Sequence, residues 1–316
     1  MKEKLINIIS EAASVVIGKD KILRQVMMAV IARGHILIED IPGVGKTTMA
    51  LAFSRILSLD YNRMQFTPDV MPSDIVGFSV YNKVTGNFDY KPGVIACNLF
   101  LADEINRTSS KTQSALLETM EEGTVTVDGV TRALPKPFIV IATQNPIGSV
   151  GTHMLPDSQL DRFMIRLSLG YPDVADEVDI LKSRHRANPL YNIEPLIGKQ
   201  DILKMQTECE STFLNDKMYR YIASLAAATR THPLLKLGIS PRGSLALVSM
   251  AKAAACINNR DYVIPDDVHE VFYSVCGHRI VLSPKAKLEG TSTADILGGI
   301  LKDVKIQPSA RSSLMR

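Results

Sequence analysis

The chain has 316 residues, which suits one large domain or, more readily, two. Its hydrophobic fraction of 46% and charged fraction of 22% exclude collagen-like, disordered and disulfide-scaffold classes, and no stretch approaches the ~20 apolar residues of a membrane span. The net charge is only +3, and the four basic residues and one acidic residue of the segment 302–316 account for it, so a dedicated binder of nucleic-acid backbone is not indicated.

The first half of the sequence alternates helical patterns with short apolar runs, which predicts an α/β core with a largely parallel sheet. Helices are predicted over residues 5–16, over 20–33 with Asp20 as the cap, and over 46–57. Five apolar runs predict strands, at residues 35–39, 61–66, 99–102, 138–143 and 164–169.

Two β-hairpins are predicted within this half. Asp128 and Gly129, flanked by alternating apolar residues in TVTVDGVTRAL, are a strong two-residue turn signal for a hairpin over residues 124–134. A second hairpin is predicted over residues 80–90, where Thr85-Gly86-Asn87 could turn the chain. Hairpins on a helix-backed sheet are unusual, so we expect these two to contact another molecule.

After Pro172 the sequence shows helical periodicity and no convincing strand. Five helices are predicted there, over residues 174–186, 198–209, 216–230, 240–258 and 265–275. The expected domains are an α/β core (1–172), a helical lid domain (173–283) and a C-terminal segment (284–316) whose last dozen residues are frayed. The four cysteines lack a CxxC pair, so we expect small buried side chains rather than a zinc site or disulfides.

The strongest local signal is HILIEDIPGVGKTTMA, in which a strand runs into a Gly-rich turn and then directly into a helix. In a phosphate-binding loop, Gly43 and Gly45 would let backbone N–H groups curl around phosphate oxygens at the positive end of the helix. Lys46 would reach the outer phosphates, and the Thr47 hydroxyl would bind magnesium. The consensus has a glycine where this sequence has Asp40, and the alternative is a Gly-rich helix entrance with no chemical role.

Polar residues also follow two later strands. Asp103 and Glu104 end the strand in CNLFLADEINR, where Asp103 would bind magnesium through water and Glu104 would act as general base on the attacking water. Such a pair is often only a solvated loop, so this prediction depends on the phosphate loop before it. Asn145, in IATQNP, could hold the attacking water or a phosphate oxygen, or could simply form a turn before Pro146.

Two arginines are candidates for stabilising transition-state charge. Arg162 lies in LPDSQLDRF just before a predicted strand, and Arg242 lies in GISPRG at the start of a lid helix. A planar guanidinium suits a spread phosphoryl charge, and such arginines are often supplied by a neighbouring domain or subunit. On sequence alone, either could instead be a surface salt-bridge partner.

Together these motifs give a sequence that resembles the MoxR group of AAA+ ATPases. Six segments occur in that family's order and spacing: LIEDIPGVGKTT, QFTPDVMPSDIVG, LADEINRTSSKTQSALLETMEEG, IATQNP, LPDSQLDRF and GISPRG. The resemblance covers residues 6–301 and departs from the family at Asp40 and at PDSQ, where many members have PEAQ. It implies an α/β fold: an AAA+ P-loop core with a mainly parallel five-stranded sheet and hairpin insertions, followed by an all-helical lid domain.

The resemblance also implies how ATP and Mg²⁺ would bind. Val16 and Ile17 match the segment that packs against adenine, and Asp103 and Glu104 match the second nucleotide motif. Thr47 and Asp103 are the implied magnesium residues. The residues that fall on the phosphate loop are Gly43, Val44, Gly45, Lys46, Thr47 and Thr48.

Three further residues match positions that serve in the family as sensors or as the arginine finger. Asn145 takes the place of the first sensor, and Arg242 takes that of the second sensor in the lid. Arg162 takes the place of the arginine finger, which acts on a neighbouring subunit. The resemblance thus implies an ATPase whose site is completed by another copy of the chain.

Members of this group form hexameric rings and act as chaperone-like remodelling motors, often beside proteins with a von Willebrand factor A domain. The resemblance therefore implies a homo-oligomeric ring with such a partner and with its hairpins facing the pore or that partner. The N-terminus has no cleavage site, which, with the lack of a spanning segment, predicts a cytoplasmic protein.

Three alternative functions stay open. One is a magnesium-chelatase-like subunit, which would also be a ring ATPase. Another is a nucleic-acid motor, which would need basic residues at the hairpin tips, where only Lys83 and Arg132 are near. A non-hydrolysing switch would predict a damaged acidic pair, yet Asp103 and Glu104 are both intact.

Overall fold

A parallel sheet of five strands forms the centre of the first half of the chain, in a computed structural model that describes residues 2–145, 154–186 and 189–306. The strands are β1 (Ile36–Glu39), β2 (Tyr61–Gln65), β3 (Gly77–Asn82), β4 (Asn87–Pro92), β5 (Leu99–Asp103), β6 (Thr124–Val127), β7 (Val130–Ala133), β8 (Ile139–Gln144), β9 (Ile165–Leu167), β10 (Leu235–Leu237) and β11 (Val281–Leu282). The order in the sheet is β2-β5-β8-β1-β9, and every neighbouring pair is parallel. The predicted parallel five-stranded core is confirmed.

The burial of the strands explains why the sequence could predict them. Every residue of β5 and β8 is buried, because these central strands are covered on both faces, and such strands are continuous apolar runs in sequence. The edge strand β9 pairs only with β1 and spans Ile165–Leu167, which is shorter than the predicted range 164–169. Sequence pattern thus located all five strands of the sheet, with small errors at their ends.

Helices surround the sheet and make up most of the second half. They are α1 (Lys2–Val15), α2 (Asp20–Ile31), α3 (Lys46–Ile56), α4 (Pro72–Val76), α5 (Ser110–Glu122), α6 (Asp157–Leu160), α7 (Val174–Arg186), α8 (Lys199–Glu210), α9 (Asp216–Thr231), α10 (Pro241–Ile257), α11 (Pro265–Cys276), α12 (Pro284–Leu288) and α13 (Thr293–Asp303). All predicted helices are present. Lys19, not Asp20, occupies the cap position of α2, so Asp20 is instead an acidic residue of the first turn.

The expectation of no strand after Pro172 is wrong. Leu235 pairs with Leu282 and Leu237 with Val281, so β10 and β11 form a small antiparallel pair within the helical region. Strands of three and two residues are too short to show a period of two, which is why the sequence did not reveal them. The lid is therefore predominantly, but not entirely, helical.

Both predicted hairpins are present and lie against each other. Asp128 (φ +52°) and Gly129 (φ +75°) turn the chain between β6 and β7, as the two-residue signal predicts. The hairpin of β3 and β4 comes first in the chain and is called the first hairpin from here on. It is longer than the predicted range 80–90, because β3 begins at Gly77 and β4 ends at Pro92. The guanidinium of Arg132, on β7, lies 4.0 Å from the ring centroid of Tyr90, on β4, and this cation–π contact joins the two hairpins.

The first two helices pack against helices of the second half. Gln206 of α8 donates to the carbonyl oxygen of Val30 in α2 at 2.9 Å, and Arg24 of α2 pairs with Glu270 of α11 at 2.6 Å. Their apolar residues belong to one hydrophobic core together with those of α8, α9, α10 and α11. The domain limits 1–172, 173–283 and 284–316 stay a prediction.

Two smaller expectations can also be compared with the structure. All four cysteines are free and buried, as predicted. The expectation for the last dozen residues falls largely outside the described part of the chain, as does Pro146. Among the residues described, none of the helices combines the length and the apolar character that crossing a membrane requires.

Candidate active site

The loop between β1 and α3 has the backbone conformation of a phosphate-binding loop. Gly43 (φ +87°) and Gly45 (φ +96°) adopt a region that L side chains rarely enter, and Gly45 is the N-cap of α3. A Cβ built on either glycine would meet no heavy atom within 4 Å, so open space adjoins both. The N–H groups that every helix leaves unpaired at its start are therefore close to space that an anion could occupy.

Lys46 lies within this loop and is buried. Its Nζ donates to the carbonyl oxygens of Asp40, at 2.9 Å, and of Ile41, at 3.2 Å. Burial lowers the pKa of Lys46, and the negative charges of Asp103, Asp40 and Glu104 oppose that shift. The ammonium group is thus held between loop carbonyls and carboxylates, a position that suits the binding of outer phosphates.

Thr143, on β8, fixes the acidic pair at the end of β5. Its hydroxyl donates to Asp103 Oδ1 at 2.6 Å and accepts from the backbone N–H of Glu104 at 2.8 Å. Glu104 has a positive φ of 57°, which is rare for a residue with a side chain. The hydroxyl therefore stabilises an unusual backbone turn that directs the two carboxylates differently, and the sequence did not single out this residue.

Two arginines that the sequence analysis also missed pair with these acids. Arg63, on β2, donates to Asp103 Oδ2 at 2.7 Å, and Arg107 donates to Glu104 Oε2 at 2.8 Å. Arg107 could have been found, since it lies three residues after Glu104 in the same motif. Arg63 could not, because its approach depends on β2 lying next to β5, which no local pattern reveals.

These residues surround a cavity of about 740 Å³, within the range of ligand sites. All of the residues predicted to bind the nucleotide line it, namely Val16, Ile17, Gly43, Val44, Gly45, Lys46, Thr47 and Thr48. Asp103 and Glu104 line it too, together with Arg63. The fold thus brings together four segments that are separated in sequence. Hydroxyl and carboxylate oxygens of Thr47 and Asp103 are the ligand type that magnesium prefers.

Part of the lining of the cavity comes from α7 and includes apolar side chains. Ile180 and Leu181 of this helix line the same cavity as Val16 and Ile17. Gly18 (φ +73°) permits the close approach of α7, because a Cβ there would lie 1.8 Å from an oxygen of Asp176. The predicted adenine segment therefore shares its cavity with apolar residues that the sequence analysis did not assign to the site.

Asn145 directly follows β8, on the same sheet edge as the acidic pair. Its carbonyl oxygen accepts from Asn106 Nδ2 at 3.2 Å. It is not among the described residues that line the cavity. Its assignment as first sensor stays a prediction.

Arg162 and Arg242 meet each other at one carboxylate, away from this cavity. Arg162 Nη1 lies 3.2 Å from Glu121 Oε2, and Arg242 pairs with Glu121 Oε1. Glu121 belongs to α5, and none of these three residues is among the described residues that line the cavity. The structure therefore brings both predicted arginines together, but not onto the nucleotide cavity of their own chain.

Asp40, the residue in place of the first loop glycine, connects the loop to the segment that leads into α7. Its Oδ2 accepts from Ser168 Oγ at 3.1 Å and from the backbone N–H of Gly170 at 2.7 Å, and its Oδ1 accepts from the N–H of Ile41 at 2.9 Å. Asp40 is buried, and these three donors to its carboxylate are all neutral, whereas Lys46 donates to its backbone carbonyl oxygen. Although Asp40 departs from the consensus, its carboxylate thus makes specific hydrogen bonds that hold the loop against the segment 168–170.

Asp40→Asn is expected to destabilise the protein by about 1–3 kcal/mol, because an amide nitrogen would replace one of the two oxygens through which this buried side chain accepts hydrogen bonds. A thermal unfolding midpoint several degrees below that of the wild type, measured by calorimetry, would support this role. Asp303→Asn, at an exposed position at the end of α13, is the control and should unfold like the wild type. Equal midpoints for Asp40→Asn and wild type would contradict the expectation.

Comparisons with known proteins agree with this geometry. The profile of the ATPase family associated with various cellular activities (AAA) matches residues 35–165, and that of the AAA lid domain matches residues 227–300. The chain is 35% identical to Chaperone MoxR1 of Mycobacterium tuberculosis, over 94% of this chain and 81% of the relative. It is 47% identical to the protein YeaC of Bacillus subtilis, over 95% and 93% of the two chains. A crystal structure from Cytophaga hutchinsonii, 38% identical, superposes with a TM-score of 0.91 over 97% of this chain and 96% of that one.

Proposed function

Because the chain belongs to the MoxR family of AAA+ ATPases, we propose that it binds ATP with Mg²⁺, hydrolyses it, and uses the energy to remodel partner proteins. One observation carries the proposal. A phosphate-binding loop, a buried lysine and an acidic pair line a single cavity that also has an apolar wall. This combination suits a nucleoside triphosphate, whose base is apolar on its faces and whose phosphates are strongly anionic.

The chain's own residues would bind and orient the triphosphate. The N–H groups at the start of α3 and the ammonium of Lys46 would take the phosphate oxygens. The hydroxyl of Thr47 and the carboxylate of Asp103 would hold the metal, and Thr143 keeps that carboxylate in place. When bound, Mg²⁺ neutralises negative charge on the outer phosphates. The Val16 and Ile17 segment would contact the base.

Glu104 would act as the general base. Its backbone is fixed by Thr143, and its carboxylate pairs with Arg107, so the side chain has a defined position at the end of β5. A carboxylate at this position can accept a proton from a water molecule aligned with the outer phosphate. Asn145, on the same edge of the sheet, would orient that water.

We propose that Arg162 and Arg242 complete the site of a neighbouring copy of the chain. Both guanidinium groups lie outside the cavity of their own protomer and share the carboxylate of Glu121. Such an arrangement suits a ring in which each interface contributes two cations to the adjacent triphosphate. Hydrolysis would then depend on assembly, and a hexamer is the expected form.

The hairpins would contact the partner protein. The first hairpin exposes several apolar side chains that its own fold does not cover: Phe78, Tyr81, Val84 and Phe88. Its tip and that of the second hairpin carry few cations, and the guanidinium of Arg132 is engaged by Tyr90. These features favour a protein partner, for which we propose one with a von Willebrand factor A domain, over nucleic acid.

Titration of the full-length protein with Mg-ATP in a calorimeter tests the nucleotide site. We expect saturable binding to wild type and a loss of affinity of about thirtyfold or more in Lys46→Ala, because the variant lacks the cation that faces the outer phosphates. Lys83→Ala, which removes an exposed lysine of the first hairpin, is the matched control and should bind like the wild type. Absence of heat with wild type, or equal affinity in Lys46→Ala, would contradict the proposal.

A further inference from the structure

The buried guanidinium of Arg279 connects the lid to the segment before β9. Its Nε donates to Asp161 Oδ1 at 2.7 Å, and its Nη2 donates to the carbonyl oxygens of Asp161 at 3.1 Å and Phe163 at 2.6 Å. Nη1 donates to the carbonyl oxygen of Met164 at 3.1 Å. Only 2% of the side chain is exposed. Because a buried cation needs a nearly complete set of acceptors, the segment 161–164 is held in one conformation around this group.

The carboxylate of Asp161 extends this connection to α10. Its Oδ2 accepts from Ser240 Oγ at 2.6 Å, and Ser240 is the N-cap of α10. Gly243, in the first turn of α10, makes room for the buried arginine, since a Cβ there would lie 2.8 Å from Arg279 Cδ. One carboxylate therefore fixes the start of a lid helix and the buried arginine together.

Both arginines of the proposed trans contact are attached to this anchored group. Arg162 lies between the two residues whose carbonyl oxygens Arg279 binds, Asp161 and Phe163. Arg242 lies in the first turn of α10, two residues after Ser240. The backbone positions of the two arginines are therefore connected through buried and half-buried contacts, although their guanidinium groups are partly exposed.

We propose that Asp161 and Arg279 are positioning residues that hold Arg162 and Arg242 as one unit for the triphosphate of the neighbouring protomer. This inference rests on the proposed function. Neither Asp161 nor Arg279 is among the described residues that line the cavity of their own chain. Replacing either residue should therefore impair ATP hydrolysis at the site of the neighbouring protomer and leave nucleotide binding at the site of its own chain unchanged.

The first test compares ATP hydrolysis and nucleotide affinity in wild type, Asp161→Asn and Arg162→Ala. We expect Asp161→Asn to lower kcat by about tenfold to a hundredfold, because displacing a catalytic group by about 1 Å can slow a reaction by about a hundredfold. Its affinity for a fluorescent ATP analogue should equal that of wild type. Asp157→Asn, an exposed acid in the same segment, is the control and should retain full activity.

Mixing two variant proteins distinguishes a positioning role of Asp161 from a general structural defect. Lys46→Ala lacks the lysine of its own site but keeps both arginines in place. Adding it to Asp161→Asn should therefore raise ATP turnover above the sum of the turnovers that the two variants show when measured separately. A fold defect within the Asp161→Asn protomer would not be repaired by its neighbour. Co-assembly is verified by capture of one tagged protein with the other.

Several results would overturn the role of Asp161. These are full activity of Asp161→Asn, a changed affinity for the analogue, and no rescue in mixtures that co-assemble. Should Asp161→Asn not fold, Ser240→Ala is measured in its place. It removes the hydroxyl that donates to Asp161 and that also caps α10 by accepting from the N–H of Gly243, and full activity of that variant overturns the proposal. An inactive wild-type protein would instead contradict the proposed function.

Discussion

Replacing Glu104 by glutamine is expected to lower the rate of ATP hydrolysis by about a hundredfold or more, because the amide cannot accept a proton from the attacking water. ATP binding should persist, since the phosphate loop, Lys46 and Asp103 are unchanged. The variant should therefore accumulate in the ATP-bound form and, if the protein forms a ring, remain assembled. Release of phosphate under saturating ATP and size measurement by light scattering give the two readouts.

The control for this variant is Glu118→Gln. Glu118 is an exposed glutamate on α5, so its replacement makes the same chemical change at a site without the proposed role. It should hydrolyse ATP at the wild-type rate. Undiminished turnover in Glu104→Gln would remove Glu104 from the role of base and leave Asn145 or a bound water network as the group to examine.

Arg162→Ala is expected to lower kcat by about a thousandfold, the order of magnitude by which an arginine finger accelerates phosphoryl transfer. Its own cavity is complete, so its affinity for Mg-ATP should match that of wild type. In mixtures with Lys46→Ala, turnover should recover in part, because the latter protein lacks a working nucleotide site but supplies an intact arginine. Steady-state rates across a range of mixing ratios measure this recovery.

Arg220→Ala, at an exposed position of α9, is the matched control for the loss of an arginine. It should have the wild-type rate both alone and in mixtures. Lack of any recovery in co-assembled mixtures of Arg162→Ala and Lys46→Ala would argue against action across the interface. A wild-type rate for Arg162→Ala itself would leave the shared contact with Glu121 as a surface ion pair.

The sequence predicted those parts of the fold that depend on local pattern. Buried runs such as Leu99–Asp103 and the Asp128-Gly129 turn appear where the pattern indicates them, because burial and turn conformation restrict the residue types directly. The order of the strands and the β10–β11 pair depend on contacts between distant segments. No local periodicity records such contacts, so these features needed the structure.

The same division holds for the candidate site. The phosphate loop and the acidic pair are contiguous motifs, and the fold brings them to one cavity. Thr143 and Arg63 reach Asp103 from neighbouring strands, and α7 adds Ile180 and Leu181 to the lining of the cavity. The meeting of Arg162 and Arg242 at Glu121 likewise joins three segments whose separation in sequence conceals the contact.

The packing of the first two helices against the later ones limits how the molecule can be divided. A fragment that ends after the sheet would expose apolar faces of α1 and α2 that α8 and α10 otherwise cover, and such surfaces promote aggregation. A chimera that takes its lid from a relative would meet the same difficulty unless it also takes the matching amino-terminal helices. The buried faces of α1 and α2 therefore constrain those of α8 and α10, although the phosphate loop and the acidic pair lie between them in the sequence.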